Sequence, residues 1–101
     1  MYKRQAQNNQ AICGAAQNGH LDVVKYLMTI DGVDPTVSNN SAIRWAASND
    51  HLDVVKYLMT IDGVDPTAGN NHAIRWAARK GHLDVVKYLI CLLYTSPSPR
   101  D

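Results

Sequence analysis

Along residues 52–61, apolar side chains stand at Leu52, Val54, Val55, Leu58, Met59 and Ile61, with Asp53, Lys56, Tyr57 and Thr60 between them. That spacing lays a wide apolar face along one side of a helix and predicts a helix over 52–61. Just upstream, Ile43, Trp45, Ala46 and Ala47 predict a shorter helix over 41–48. Its paired alanines cost little side-chain entropy and let a neighbouring helix approach closely. Asn49-Asp50 separates the two helices, and Asn18-Gly19 and Lys80-Gly81 occupy the same place elsewhere in the chain. A glycine there can take the left-handed conformation that ends a helix, so Asp50 is expected to carry that backbone at some cost. Asp62-Gly63 stops the second helix, and Asp65-Pro66 forces an extended or turn conformation. Residues 36–40 therefore read as a loop or hairpin.

The pattern recurs. Residues 20–36, HLDVVKYLMTIDGVDPT, return unchanged at 51–67, and a third copy keeps HLDVVKYL from His82. The pairs Asn8-Asn9, Asn39-Asn40 and Asn70-Asn71 hold the same 31-residue spacing, as do Ala11-Ile12, Ala42-Ile43 and Ala73-Ile74. The units run over 6–36, 37–67 and, incompletely, 68–90. One helix pair cannot bury its apolar face alone, whereas stacked pairs can. The expected fold is an all-α solenoid of about three helix–loop–helix repeats.

Ser41-Ala42-Ile43-Arg44 followed by Trp45-Ala46-Ala47, then Gly19-His20, Val23-Val24 and Leu27-Met28 as seen in the first copy, resemble the ankyrin repeat. The likeness covers nearly all of residues 6–90. Its opening lacks the family's proline and histidine in every copy, and its period is two short of the usual ~33, which shortens the hairpin loop. The 31-residue variant resembles arrays of large amoebal DNA viruses and of protists. What the resemblance implies is a protein–protein interaction scaffold, gripping a partner through a concave face lined by loop and first-helix positions. The alternative is an array that positions substrate for an adaptor or enzyme domain outside this segment.

The ends break the repeat. Residues 91–101, CLLYTSPSPRD, resemble a translated sequencing-library adapter, and residues 1–5 resemble its complementary strand. On that reading only residues 6–90 are biological, the array continues in both directions, and it lacks polar capping repeats. The segment Cys91-Leu92-Leu93-Tyr94 is expected to prolong the last helix, ending before Pro97.

Composition adds mostly exclusions. The 101 residues are 46% hydrophobic and 19% charged with net charge +1, which becomes −1 over residues 6–90. That balance gives no electrostatic case for nucleic acid or a membrane surface. No apolar run approaches a membrane span or a signal peptide, so an intracellular protein is expected. Asn39-Asn40-Ser41 then reads as an unused glycosylation sequon.

Nothing in the sequence points to an enzyme, a cofactor or a small-molecule substrate. His20, His51 and His82 lie one helix-packing distance apart, too far to share a metal ion, and read as structural residues bonding the turn before the second helix. Asp31, Asp34, Asp62 and Asp65 read as turn formers. Asp22/Lys25, Asp53/Lys56 and Asp84/Lys87 read as solvated helix-face pairs. Cys13 stands where the other copies have Arg44 and Arg75, a poor place for a nucleophile. Trp45 and Trp76 are expected to point into the core, with a binding platform as the alternative, and His72 is expected to face solvent. Positions that vary on a constant scaffold suit recognition. The candidate partner-binding residues are accordingly Arg44, Arg75, Arg79, Lys80, Ser48 and Asn49, the first four as polar anchors.

Overall fold

The computed structural model describes residues 2–30 and 32–94. Asp31 and the tail 95–101, with the helix stop expected before Pro97, lie outside the described residues, as does Met1. Six helices follow one another: α1 (Tyr2–Gln17), α2 (Leu21–Leu27), α3 (Val37–Ser48), α4 (Leu52–Leu58), α5 (Ala68–Arg79) and α6 (Leu83–Tyr94). Among the described residues there is no strand. The odd-numbered first helices form one row and the even-numbered second helices another, giving a helical array of 49 × 29 × 24 Å.

Successive first helices pack over a broad surface, whereas successive second helices touch only narrowly. Small side chains explain the difference. Ala15 and Ala16, Ala46 and Ala47, and Ala77 are all buried, so first-helix backbones approach closely. The larger Val24, Val54, Val55, Leu58, Val85 and Leu89 fill the space between the rows, with Ile12 and Ile43 from the first row.

The second helix is shorter than its apolar pattern suggests. In the middle unit it ends at Leu58, not Ile61, because the Thr60 hydroxyl donates to the Tyr57 carbonyl at 2.6 Å and tightens the last turn. Thr29 does the same to Tyr26. Met59 and Ile61 still pack partly buried against the core. In the last unit, which lacks that threonine, α6 continues through Cys91 to Tyr94.

The link between units departs from a simple loop. Ser38, Asn39 and Asn40 all hold left-handed backbone, with φ of 56°, 60° and 60°, before the regular right-handed helix begins at Ser41. Gly69, Asn70 and Asn71 repeat this turn. Asparagine tolerates this region better than most residues, which accounts for the recurring pair. The second asparagine also clamps its own unit. Asn40 Oδ1 accepts the Asp65 N–H at 2.9 Å, and Asn9 accepts that of Asp34 at 2.7 Å. Each aspartate in turn accepts both the backbone N–H and the hydroxyl of the threonine two residues on, Thr36 or Thr67, closing the Asp-Pro-Thr turn. These bonds hold the Asp65 carboxyl below its ordinary 3.8. α1 differs, since helix runs through the positions equivalent to that turn. Lys3, Arg4, Gln5 and Ala6 are good helix formers, and no Asp-Pro-Thr turn precedes them.

Stacking uses the loop between the two helices of each unit. Gly19 sits at φ +76° directly under the His51 imidazole, and a Cβ there would fall 2.5 Å from the ring. Asp50 takes the same left-handed conformation at φ +64°. Above it, the His82 ring lies 3.1 Å from the Ser48 carbonyl through Nε2, with Nδ1 3.8 Å from Asp50. The repeated histidine thus holds the preceding unit, not the turn in its own. The lysines also reach between units. Lys25 and Lys56 stand 5.8 and 5.7 Å from the ring centres of Tyr57 and Tyr88, while the Asp53 carboxylate accepts the Val54 N–H. No Asp–Lys ion pair forms among the described residues.

Candidate partner-binding surface

On α3 the buried residues Ala42, Ile43, Ala46 and Ala47 define the side that faces the core. Ser41, Arg44 and Trp45 fall on the other side. Trp45 is 38% exposed and Trp76, its equivalent on α5, is partly exposed. The expectation that both tryptophans are core residues fails, because Ala42, Ala46 and Ala47 on α3, and Ala73 and Ala77 on α5, already occupy the core positions. His72 corrects a second expectation. It lies between the two indoles instead of in solvent, meeting Trp45 edge-on at 5.6 Å and Trp76 at 5.8 Å between ring centres. Its Nδ1 is buried without a hydrogen-bond partner. Burial, with the positive charges of Arg44 and Arg75, lowers its pKa below 6.5.

The aromatic row ends in cations. Arg79 and Lys80 stand over the Trp76 ring, 5.0 and 5.9 Å from its centre. Both are exposed. Trp45, His72, Trp76, Arg79 and Lys80 therefore form one continuous strip along the first-helix row.

The other four predicted residues are placed differently. Arg44 donates from Nε to the Asn39 carbonyl at 3.0 Å and from Nη2 to the Ser38 carbonyl at 3.1 Å. Arg75 donates to the Asn70 carbonyl at 3.3 Å. Both arginines thus cap the left-handed turns, a task that nothing in the residue pattern foreshadows. Asn49 Nδ2 donates to the Gln17 carbonyl at 3.1 Å and closes the end of α1. Ser48 is fully buried, its hydroxyl turned to the Trp45 carbonyl and its own carbonyl against His82, so it presents nothing to a partner. The next unit covers it, a burial invisible from a single helix.

One hollow opens on the same face, between α1 and α3, beside Cys13. Burial pushes the Cys13 thiol above its ordinary value of 9.0, an effect eased by a hydrogen bond with Ser41. A protonated thiol is a poor nucleophile.

A family model of ankyrin repeats in three copies matches residues 12–101. The chain belongs to the ankyrin-repeat family. Ankyrin repeats are generally protein–protein interaction modules and typically non-catalytic. No curated protein matches this chain. No described helix is long and apolar enough to cross a membrane.

The signal that could have found the tryptophans was present in this ankyrin sequence. Ala42, Ile43, Ala46 and Ala47 alone complete the apolar face of the first helix, leaving Trp45 off it. His72 carried no such signal, since its burial depends on Trp45 one unit earlier.

Proposed function

We propose that this ankyrin array is a recognition scaffold that grips an acidic segment of a protein partner along its concave, first-helix face. The observation that carries the reading is the strip of Trp45, His72 and Trp76 ending in Arg79 and Lys80. Tryptophan and arginine are the side chains most often responsible for binding energy at protein interfaces. The tighter first-helix row supports placing concavity on that side, because closer spacing along one row bends a solenoid toward it. Of the six residues chosen from the sequence, Arg79 and Lys80 are the proposed direct contacts. Arg44, Arg75 and Asn49 act by holding the surface in shape.

The same reading takes the chain as a piece of a longer ankyrin protein. Leu83 and Ile90 are exposed on the last unit. Gly81 has open space where Gly19 has the next unit's histidine. A hollow of about 330 Å³ beside Gly81, His82 and Val86 offers the seat for a further unit.

The test is selection from a displayed random-peptide library on the wild-type array, with depletion on a Trp45→Ala/Trp76→Ala variant. Peptides rich in Asp and Glu that survive depletion support the reading. Peptides retained equally by both proteins contradict it, and enrichment of nucleic acid over peptide in a parallel selection does so as well.

A further inference from the structure

The 31-residue period allows each place on the recognition face to be compared with its copies. Gly14 occupies the register of Trp45 and Trp76, and Ser41 that of His72. Between α3 and α5 the space on this face is filled, because Trp45 lies against His72. One unit earlier the equivalent space is open. It forms a cleft of about 570 Å³ lined by Asn9, Gln10, Cys13 and Gly14 from α1 and by Ser38 and Ser41 from α3. A Cβ at Gly14 would meet nothing within 4 Å. The volume falls in the range of small-ligand pockets, roughly 300–1,000 Å³.

We propose that this cleft seats a tryptophan side chain of the bound partner, carried on an acidic segment, in the place the array's own indole fills in the next unit. The proposal rests on the reading of this face as a protein-binding surface. Three observations select the occupant. The array itself shows which group fits the equivalent space, an indole packed edge-on against α5. The lining mixes side-chain amides and hydroxyls with the Val37 side chain and the bare Gly14 backbone, which suits an amphipathic ring with one N–H to donate better than a purely aliphatic chain. The charge around it also favours an acidic carrier. Arg44 is near enough for its charge to act on Cys13, and Arg75, Arg79 and Lys80 continue along the same row. Asp34 acts on Cys13 as well, more weakly than Arg44, and its carboxylate is engaged by Thr36.

The cleft therefore supplies an anchor and the cationic strip a direction. A segment would place its tryptophan between α1 and α3 and run its carboxylates toward α5. Trp45 would flank the bound ring's unit, so the partner's indole would extend the strip of Trp45, His72 and Trp76 by one place.

The experiment is titration of the full ¹⁵N-labelled chain, in reducing buffer, with N-acetyl-tryptophanamide, followed by amide chemical shifts. Expected are saturable shifts centred on residues 9–17 and 38–41, weakened about tenfold in Gly14→Trp and for N-acetyl-leucinamide. Ser41→His, which enters the same space from α3, gives the same loss and stands in should Gly14→Trp fold poorly. The peptide acetyl-Trp-Glu-Glu-Glu-amide is expected to bind about threefold or more tighter than the amide at low salt, an advantage removed by high salt. Shifts that do not saturate, that centre on Trp45 and Trp76, or that persist in the filled variants overturn the proposal. Equal binding of the two tryptophan probes overturns its acidic half. Because these probes report on the cleft directly, success here alongside failure of the peptide selection would remove the protein-partner reading and leave the indole site. The reverse result would remove the cleft alone.

Discussion

Asp50 holds a φ of +64° in the place where the flanking units use Gly19 and Gly81. A residue with a Cβ pays strain there, and its partial return, a 3.8 Å approach to His82 at an exposed site, is weak. Asp50→Gly is expected to stabilise the array by about 0.5–1 kcal/mol, read from the urea midpoint at constant slope. An unchanged or lower midpoint would mean that the His82 contact outweighs the backbone. His72 sets a pH dependence of definite sign. Its folded pKa lies below 6.5, so as pH falls through 6.5 the unfolded chain takes up the proton first. Stability attributable to His72 is full above that point, declines down to the folded value, and is flat below it. His72→Gln should therefore flatten the urea midpoint between pH 7.5 and 5, and an unaltered slope would contradict its half-buried placement between the indoles. Asp65 acts in a separate, lower window. Its depressed carboxyl contributes stability present above pH 3.8 and lost as pH falls through the folded value.

At the scale of elements, the left-handed turns at 38–40 and 69–71 are the least expected feature and the one that most alters the reading of the arginines. Three consecutive left-handed residues leave carbonyls that no regular helix satisfies, and Arg44 and Arg75 supply the donors. Arg44→Ala is expected to cost about 1 kcal/mol in stability, measured by urea unfolding, because its two hydrogen bonds are partly solvent-exposed. A neutral result would mean that water replaces the guanidinium without loss. An alanine scan of all four basic residues would therefore mix folding with binding, whereas Arg79→Ala and Lys80→Ala address binding alone. Element positions were legible because period and spacing are local properties. The start of the regular first helix at Ser41 and the left-handed Asp50 followed from sequence alone. The end of the second helix did not, because the Thr60 hydroxyl closes it three residues before the apolar pattern stops.

For the molecule as a whole, what sequence could not show is what each unit does to the next. Ser48 is polar and variable among copies, yet stacking buries it. His72 looks solvent-facing on its own helix, yet Trp45 covers it. The paired Asp and Lys of the second helices satisfy the i, i+3 spacing, yet Lys25 and Lys56 reach across to tyrosines of the following unit. Each of these placements is set by the neighbouring unit, in an array whose stability is a sum of unit and interface terms. The same logic predicts that completing the third unit with a copy of residues 60–67 after Ile90, in place of 91–101, and following it with a fourth copy of residues 37–67 raises the urea midpoint. It should also steepen the denaturation slope by roughly a third, as more surface is buried in one cooperative unit. A separate transition for the added copy would show that the hollow beside Gly81 is not a stacking seat.

We propose the first-helix face as the recognition surface. The most direct measurement is the affinity of one acidic peptide, selected on the wild-type array without the depletion step, for the wild-type array, for Trp76→Ala, and for Tyr26→Ala on the second-helix row, by isothermal titration. A loss of about thirtyfold or more is expected for Trp76→Ala, as for a buried interface anchor, and no change for Tyr26→Ala. Equal affinity of Trp76→Ala and wild type, or a loss confined to Tyr26→Ala, would place recognition on the other face and contradict this assignment.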